Sequence, residues 1–443
     1  MLIASFTVAQ VIWFFALGAS AGSLINVLVY RLPLGLSVVT PPSRCPSCET
    51  RLTWRENIPI FGWLLLGGRC RFCRSKISAE YPVVEFVVAV LFAGFYILWY
   101  LTPPDARFAW FSIGQIAPPW AGPGTGIVSP LAQTWPIFLQ LLILLGCLVA
   151  MTLVDAKTFT IPLILAWIPA AAALVIQPVT ALVIERNSGH LWRSAPNWDW
   201  VIPTPGPHGW YWVGFAIGGA IGLIVSLILL ASGLITRSFA DYEEWEKQAT
   251  ASAPPEGEQP PDQQELWLRY PHARREMVKE LAFLAPPALG AIIGGWGADR
   301  AIAATVGWTF DPVSGGFVTS FHVPLWLAAL AGVLLGYLVG GGVAWLIRIF
   351  GSLAFGKEAM GLGDVHLMAA VGACLGWIDA VLAFFLAAFV GVGWALLGAV
   401  FGGLRRQLPY GPHLAVASVL IVLFRPLVEL GLSKLLRMPV HLP

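Results

Sequence analysis

Ten stretches of predominantly apolar residues, most of them about 20 long, follow one another along this chain, and that succession decides the fold class before any single residue is weighed. They lie at about 1–30, 82–102, 132–154, 162–184, 211–235, 281–297, 324–349, 364–377, 378–402 and 412–432. With 57% hydrophobic and only 11% charged residues among 443, the chain carries more apolar surface than a soluble core of this size can use. A bilayer accepts backbone only as helices or closed barrels, and runs of this length are helices. The expected fold is an all-α polytopic membrane protein with about ten transmembrane segments. The run at 364–377 is short, contains glycine and ends at Gly376, the pattern of a half-span or one arm of a tight hairpin. No charge precedes Arg31, so the opening run lacks the basic start of a secretory signal and is expected to be a retained first span.

The placement of charge orients these segments. Arg31, Arg44, Arg51, Arg55, Arg69, Arg71, Arg74 and Lys76 cluster directly after the first run, and such a cluster beside a span marks the cytoplasmic side. Alternation from there brings two further basic loops to the same side: 236–280, with Arg237, Lys247, Arg269, Arg274, Arg275 and Lys279, and 403–411, with Arg405 and Arg406. The outer connections near 103–131, 185–210 and 298–323 are rich in Trp, Pro and Gly, as an interfacial rim would be. Both termini then face outward. A net charge of +2 spread this way describes no nucleic-acid surface; the expected surroundings are membrane lipid. Within 236–280, "ASAPPEGEQPPDQQ" reads as an unstructured linker, and Leu266, Tyr270, Met277 and Leu281 beside a basic face belong either to an amphipathic helix lying on the membrane or to a solvated connector with a charged helix start.

One loop carries a metal pattern. Cys45 and Cys48, then twenty-one residues, then Cys70 and Cys73, repeat a CxxC turn that presents two sulfurs on one side. Two disulfides are the alternative, which a reducing cytoplasmic loop disfavours. Four thiolates close a zinc tetrahedron and leave no open position, so the metal is expected to be structural. The segment 31–81 is thus a small cytoplasmic zinc-binding loop domain. Cys147 and Cys374 lie within apolar runs as small hydrophobes.

Charges at spans are the remaining candidates, because they are costly in lipid. Asp155 closes the third run in "MTLVDAKTFTIP" and Asp364 opens the eighth in "MGLGDVHLMAA", with four runs between them, so alternation sets both at the cytoplasmic face. Two adjacent carboxylates cannot both ionise cheaply; one keeps a proton while the other activates water, which is aspartyl protease chemistry. Each Asp alone also fits an interfacial cap, as Lys357, Glu358 and His366 fit surface groups; Glu85 and Asn26 lie inside runs.

Taken together, "GASAGSLINVLVYRLP" (18–33), the double CxxC with "RENIPIFGWLLLGGRCRFC", "SAEYPVVE" (78–85), "DAKTFTIP" (155–162), "MGLGDVHLMAAVGACLG" (360–376) and "LPYGPHLA" (408–415) resemble the prepilin peptidases, or type IV leader peptidases, in the family's order. The resemblance implies a GxGD-type aspartyl endopeptidase of the bacterial inner membrane, acting at the cytoplasmic face. It would cleave the leaders of type IV prepilins and type II secretion pseudopilins, with Asp155 and Asp364 as the catalytic pair and Cys45, Cys48, Cys70 and Cys73 as zinc ligands. It also implies N-methylation of the new N-terminus from S-adenosylmethionine. Two departures stand out: four runs instead of two separate the aspartates, and Leu163 follows Pro162 where the family often has an acidic residue. The expected organisation is a first span at 1–30, the Cys loop at 31–81, spans with the first Asp at 82–184, an extra hairpin and linker at 185–330, and a core with GxGD at 331–443. A peptidase without methyl transfer, and a membrane scaffold or transporter with a zinc docking loop, are the competing readings.

Overall fold

The structure is a computed structural model that describes residues 2–103, 105–108, 111–112, 130–188, 201–205, 209–251, 270–306, 308–311, 316–319, 322–401 and 409–438. In chain order its helices are α1 (Leu2–Arg31), α2 (Phe61–Leu65), α3 (Glu80–Tyr96, prolonged by a π turn at Ile97–Leu101), α4 (Pro130–Thr158), α5 (Leu163–Ser188), α6 (Gly209–Ala231), α7 (Tyr242–Ala251), α8 (Ala273–Val306), α9 (Leu325–Phe355), α10 (Leu362–Leu375), α11 (Trp377–Phe401), α12 (Tyr410–Leu423) and α13 (Arg425–Leu436). Two short antiparallel hairpins, Arg107–Phe108 with Phe111–Ser112 and Trp308–Asp311 with Gly316–Thr319, are the strands among the described residues.

Every one of the ten apolar runs is helical, and the protein is an all-α polytopic membrane protein. Among the described residues, eight helices are long and apolar enough to cross a bilayer: α1, α3, α4, α5, α6, α8, α9 and α11. The α12–α13 pair, bent by 85°, would make a ninth. With 14 residues, α10 rises only about 21 Å, short of the ~30 Å hydrocarbon core, so it is a short arm and not a span. The linker at 252–269 and the pair Arg405 and Arg406 lie outside the described residues.

The chain forms two compact units, residues 1–172 with 385–442 and residues 173–384. In the first, α1 packs on α3 through glycine: a Cβ on Gly18 would stand 2.7 Å from the Ala89 Cα, and one on Gly22 2.6 Å from the Glu85 Cα. Such closeness is the usual means of joining helices in lipid, where apolar burial gives no advantage over contact with acyl chains. An aromatic layer of Phe14, Tyr96, Tyr100 and Phe138 joins α1, α3 and α4, and its hydroxyls are satisfied by Gln10 and Thr134. At the far end, Lys157 of α4 pairs with Glu80 of α3.

In the second unit, α6 and α8 touch backbone to backbone, since a Cβ on Gly214, Gly218 or Gly222 would collide with the carbonyl oxygen of Gly294, Gly290 or Pro286. The Ser226 hydroxyl adds a 2.6 Å bond to the Phe283 carbonyl across the same seam. The pair α9 and α10 meets in the same manner at Gly336 and Gly372. Val213 and Ala216 of α6 pack on Ala328, Ala331 and Leu335 of α9. Of the two readings of the stretch before the sixth run, the charged helix start is the one the structure shows, and there is no separate surface helix among the described residues. Helix α8 runs unbroken from Ala273 to Val306, and Tyr270 and Met277 are buried in protein; Leu266 lies outside the described residues. Tyr270 precedes the helix and Leu281 is exposed, so the positions that suggested one lipid-facing stripe do not share a face.

Candidate active site and metal centre

The two CxxC segments fold into near duplicates of one turn. Cys45 N–H donates to the Thr50 carbonyl and Glu49 N–H to the Cys45 carbonyl; Cys70 N–H donates to Ser75 and Arg74 N–H to Cys70, all at 2.9–3.0 Å. Each turn is closed by a left-handed residue, Glu49 at φ 54° and Arg74 at φ 57°, and by a bridge, Arg44 to Arg51 and Arg69 to Lys76. The four Sγ atoms lie within 4.8 Å of one another, with Cys45 to Cys73 at 3.8 Å and Cys48 to Cys70 at 3.9 Å. A tetrahedron with metal–sulfur bonds of about 2.3 Å has sulfur–sulfur edges of about 3.8 Å. The arrangement therefore fits zinc, with all four positions filled by protein. At two of the four sulfurs the turns favour thiolate: the Cys48 backbone N–H, foremost, holds the Cys45 thiol down at about 6, and the Ser75 hydroxyl lowers that of Cys73. At Cys70 the backbone N–H groups of Cys73 and Phe72 lower the thiol, but burial and the neighbouring Cys45 and Cys73 together outweigh them and push it up.

Motif residues of the neighbouring helices hold this loop. Glu85 of α3 is buried and accepts a 2.6 Å bond from the Ile60 N–H. Ile60 caps α2 at φ 63°, a conformation costly for a β-branched residue, so it needs such a contact. Asn26 of α1 donates to the Tyr81 carbonyl at 3.1 Å. Arg31 donates to the carbonyls of Ser37, Val38 and Pro41, closing the chain as it leaves α1.

Asp155 stands in the last turn of α4. Phe159, at φ 55°, turns the chain and donates its N–H to the Asp155 carbonyl at 2.9 Å, ending the helix before Ile161 and Pro162 lead into α5. The side chain is buried, the backbone N–H of Gly411, at the start of α12, faces its carboxylate, and its Oδ2 has no hydrogen-bond partner among the described residues. A buried carboxylate oxygen without a partner is rare enough to ask for a functional account. His413, one turn into α12, is buried beside Tyr410.

Asp364 lies in the first turn of α10, where a helix N-terminus favours a carboxylate. It is buried, and its N–H donates to the carbonyl of Gly361, the N-cap, at 3.2 Å. Helix α9 ends at Gly356 in the left-handed region, and residues 357–361 form the turn between the two. The fold thus brings the four cysteines together. Asp155 stands in the first unit and Asp364 in the second.

Two groups in this region, Arg348 and Glu280, carry no signal in the motifs. Arg348 of α9 is fully buried and forks onto Glu280 of α8 through Nε (3.0 Å) and Nη2 (2.9 Å), while its Nη1 donates to Glu358 and to the Met360 carbonyl. Glu358, which fits an interfacial charge in the sequence, has a buried ionic partner. The signal available was a lone arginine within the run 324–349, since an ionisable residue inside a span is a functional candidate by default.

Fold and sites define a multi-pass membrane protein with a four-cysteine loop domain and a buried aspartate at each of two helix ends. The description "Bacterial Peptidase A24 N-terminal domain" matches residues 16–99, and "Type IV leader peptidase family" matches residues 308–396. Asp364 falls in the second range; Asp155 and all of α6, α7 and α8 fall outside both. Three proteins bearing the name prepilin leader peptidase/N-methyltransferase are similar. The one from Myxococcus xanthus (strain DK1622) is 48% identical over 81 residues, 18% of this chain and 24% of that protein. The Klebsiella pneumoniae protein is 30% identical over 190 residues, 42% of this chain and 72% of its own length. That of Aeromonas salmonicida (strain A449) is 28% identical over 254 residues, 49% of this chain and 76% of its own. No solved structure matches the chain. The chain belongs to the type IV leader peptidase family. It spans about a quarter of the Myxococcus relative and over two thirds of the other two.

Proposed function

We propose that this protein is an aspartyl endopeptidase that removes the leader of type IV prepilins and type II secretion pseudopilins at the cytoplasmic face of a bacterial inner membrane. The observation that carries the reading is the pair of buried aspartates at helix ends, Asp155 with an unpartnered Oδ2 and Asp364 within the GxGD turn of the family-matched range. In this scheme Asp155 and Asp364 form a dyad that shares one proton. The ionised carboxylate takes a proton from water as the water oxygen attacks the scissile carbonyl; the protonated one gives its proton to the departing nitrogen, and the C–N bond breaks.

The relatives' name supports a second step, N-methylation of the freed amino terminus with S-adenosylmethionine as methyl donor. Cys45, Cys48, Cys70 and Cys73 would hold a structural zinc, whose chemistry is to fix the loop and not to activate water. Membrane lipid surrounds the helices, and no nucleic acid is involved.

The test is cleavage of a prepilin-like peptide by the purified full-length protein in detergent, with methyl incorporation followed separately by mass spectrometry. Asp155→Asn and Asp364→Asn should each abolish leader release while the protein still purifies as a folded species. Substantial cleavage by either would remove the dyad from the scheme; methyl incorporation absent from an active peptidase would leave the hydrolase alone.

A further inference from the structure

The turn that carries the GxGD segment is poor in intrinsic preference. Gly356, Gly361 and Gly363 allow many backbone conformations, and the two helices it joins end and begin within six residues. Its shape must therefore be imposed from outside. Four contacts do so, all within the second unit. Ser352 of α9, fully buried, accepts the Ala359 N–H at 3.0 Å. Arg348 Nη1 holds both the Glu358 carboxylate and the Met360 carbonyl. Arg274 of α8 donates from Nε to the Leu353 carbonyl at 3.0 Å, next to the helix end at Gly356. Glu280 of α8 in turn fixes Arg348 through two parallel bonds, and is itself held by Trp345 Nε1 at 2.7 Å. The face of the guanidinium lies 5.6 Å from the Phe239 ring.

We propose that Arg348 is a positioning residue for Asp364, and that Glu280 on α8, a helix outside both family-matched ranges, is the strut that aims it. The proposal rests on the reading of Asp364 as half of the catalytic dyad. Met360 is four residues from Asp364, and the Asp364 N–H to Gly361 bond makes the turn and the first turn of α10 one piece, so a displaced Met360 carbonyl is a displaced carboxylate. The guanidinium makes four bonds at once, two parallel ones to Glu280 and one each to Glu358 and the Met360 carbonyl, where a lysine ammonium has three donors and no fork. Stability alone does not explain the network, because buried ionic groups are commonly matched or bettered by apolar ones of equal size. The helices between the two aspartates then act as scaffold for the site.

The experiment compares kcat, KM and the pH profile of leader cleavage for the full-length protein, Arg348→Lys, the triple variant Glu280→Gln, Arg348→Met and Glu358→Gln, and Asp364→Asn. The triple variant leaves no uncompensated charge, so it separates positioning from folding. For a carboxylate misplaced by about 1 Å, kcat should fall about 100-fold with KM within about twofold, in both Arg348→Lys and the folded triple variant. Amide exchange at Met360 to Asp364 should quicken in the same two proteins while that of α6 does not. Either variant folded with wild-type kcat and an unchanged pH profile would overturn the proposal, and failure of both to fold would assign the network to stability instead. If Asp364→Asn itself cleaves normally, the active-site reading fails; if it is inactive while Arg348→Lys is fully active, that reading stands and the positioning role falls.

Discussion

Removing zinc from the Cys loop should unfold it while the helices that bracket it stay packed. Between Leu32 and Ala79 the only buried apolar side chains are Cys45 and Cys70. Apolar burial at two such positions supplies at most a few kcal/mol, at about 1–2 kcal/mol each. A four-thiolate zinc would supply about 10–16 kcal/mol, so the metal would dominate the loop's stability. The packing of α1 on α3 rests on Gly18 and Gly22 and does not involve the sulfurs. The assay is amide exchange before and after chelation, together with zinc released per chain, for which about one is expected. The reporters are the N–H groups of Cys45, Glu49, Cys70 and Arg74, which close the two turns. Loss of even about 4 kcal/mol speeds exchange through opening by nearly a thousandfold, so protection at all four should collapse. Amides of α3 should keep theirs. Full retention of protection at the four reporters after stoichiometric metal loss would refute the reasoning, as would protein purified without metal and with paired disulfides.

Acid should act on the same loop. The Cys45 thiol sits at about 6 against an ordinary 9.0, so folding favours its thiolate; that contribution is complete above about 9 and disappears as pH falls through about 6. Zinc should accordingly stay bound on dialysis at about pH 8 and leave at about pH 5, with a flat profile counting against it. On α8, Gly290→Ala forces a Cβ into the Gly218 carbonyl and should lower the thermal midpoint by the equivalent of about 1–3 kcal/mol. Gly297→Ala, which meets nothing within 4 Å, should leave the midpoint unchanged or raise it; the opposite order would contradict the helix seam.

Helix positions were legible because apolar runs of span length admit one local structure in lipid. Their ends were less so. The run at 273–306 begins well before its apolar part, since Ala273 to Lys279 continue the helix on protein contacts, not lipid ones. The break between α12 and α13 falls at Phe424, before Arg425 and Pro426, where the missing N–H interrupts the ladder. The cysteine cluster was readable since a CxxC turn fixes two sulfurs locally and needs only one long-range meeting. Asp155 and Asp364 were readable as span-end carboxylates, but the Gly411 N–H facing Asp155 comes from 256 positions away along the chain and leaves no mark in local spacing. The Arg348–Glu280 fork, 68 positions apart, is invisible for the same reason.

The seam between α6 and α8 bears on how the chain is made. Helices that meet backbone to backbone leave no groove for acyl chains, so the pair is expected to close as soon as α8 leaves the translocation channel, across the connection at 232–272. Helix α9 then emerges beside a finished two-helix wall. Its Arg348, next to last in the apolar run 324–349 and costly to leave unpaired beside lipid, finds the Glu280 carboxylate already standing there. The order of synthesis, counter-charge first and arginine second, spares the cell a stranded cation in lipid.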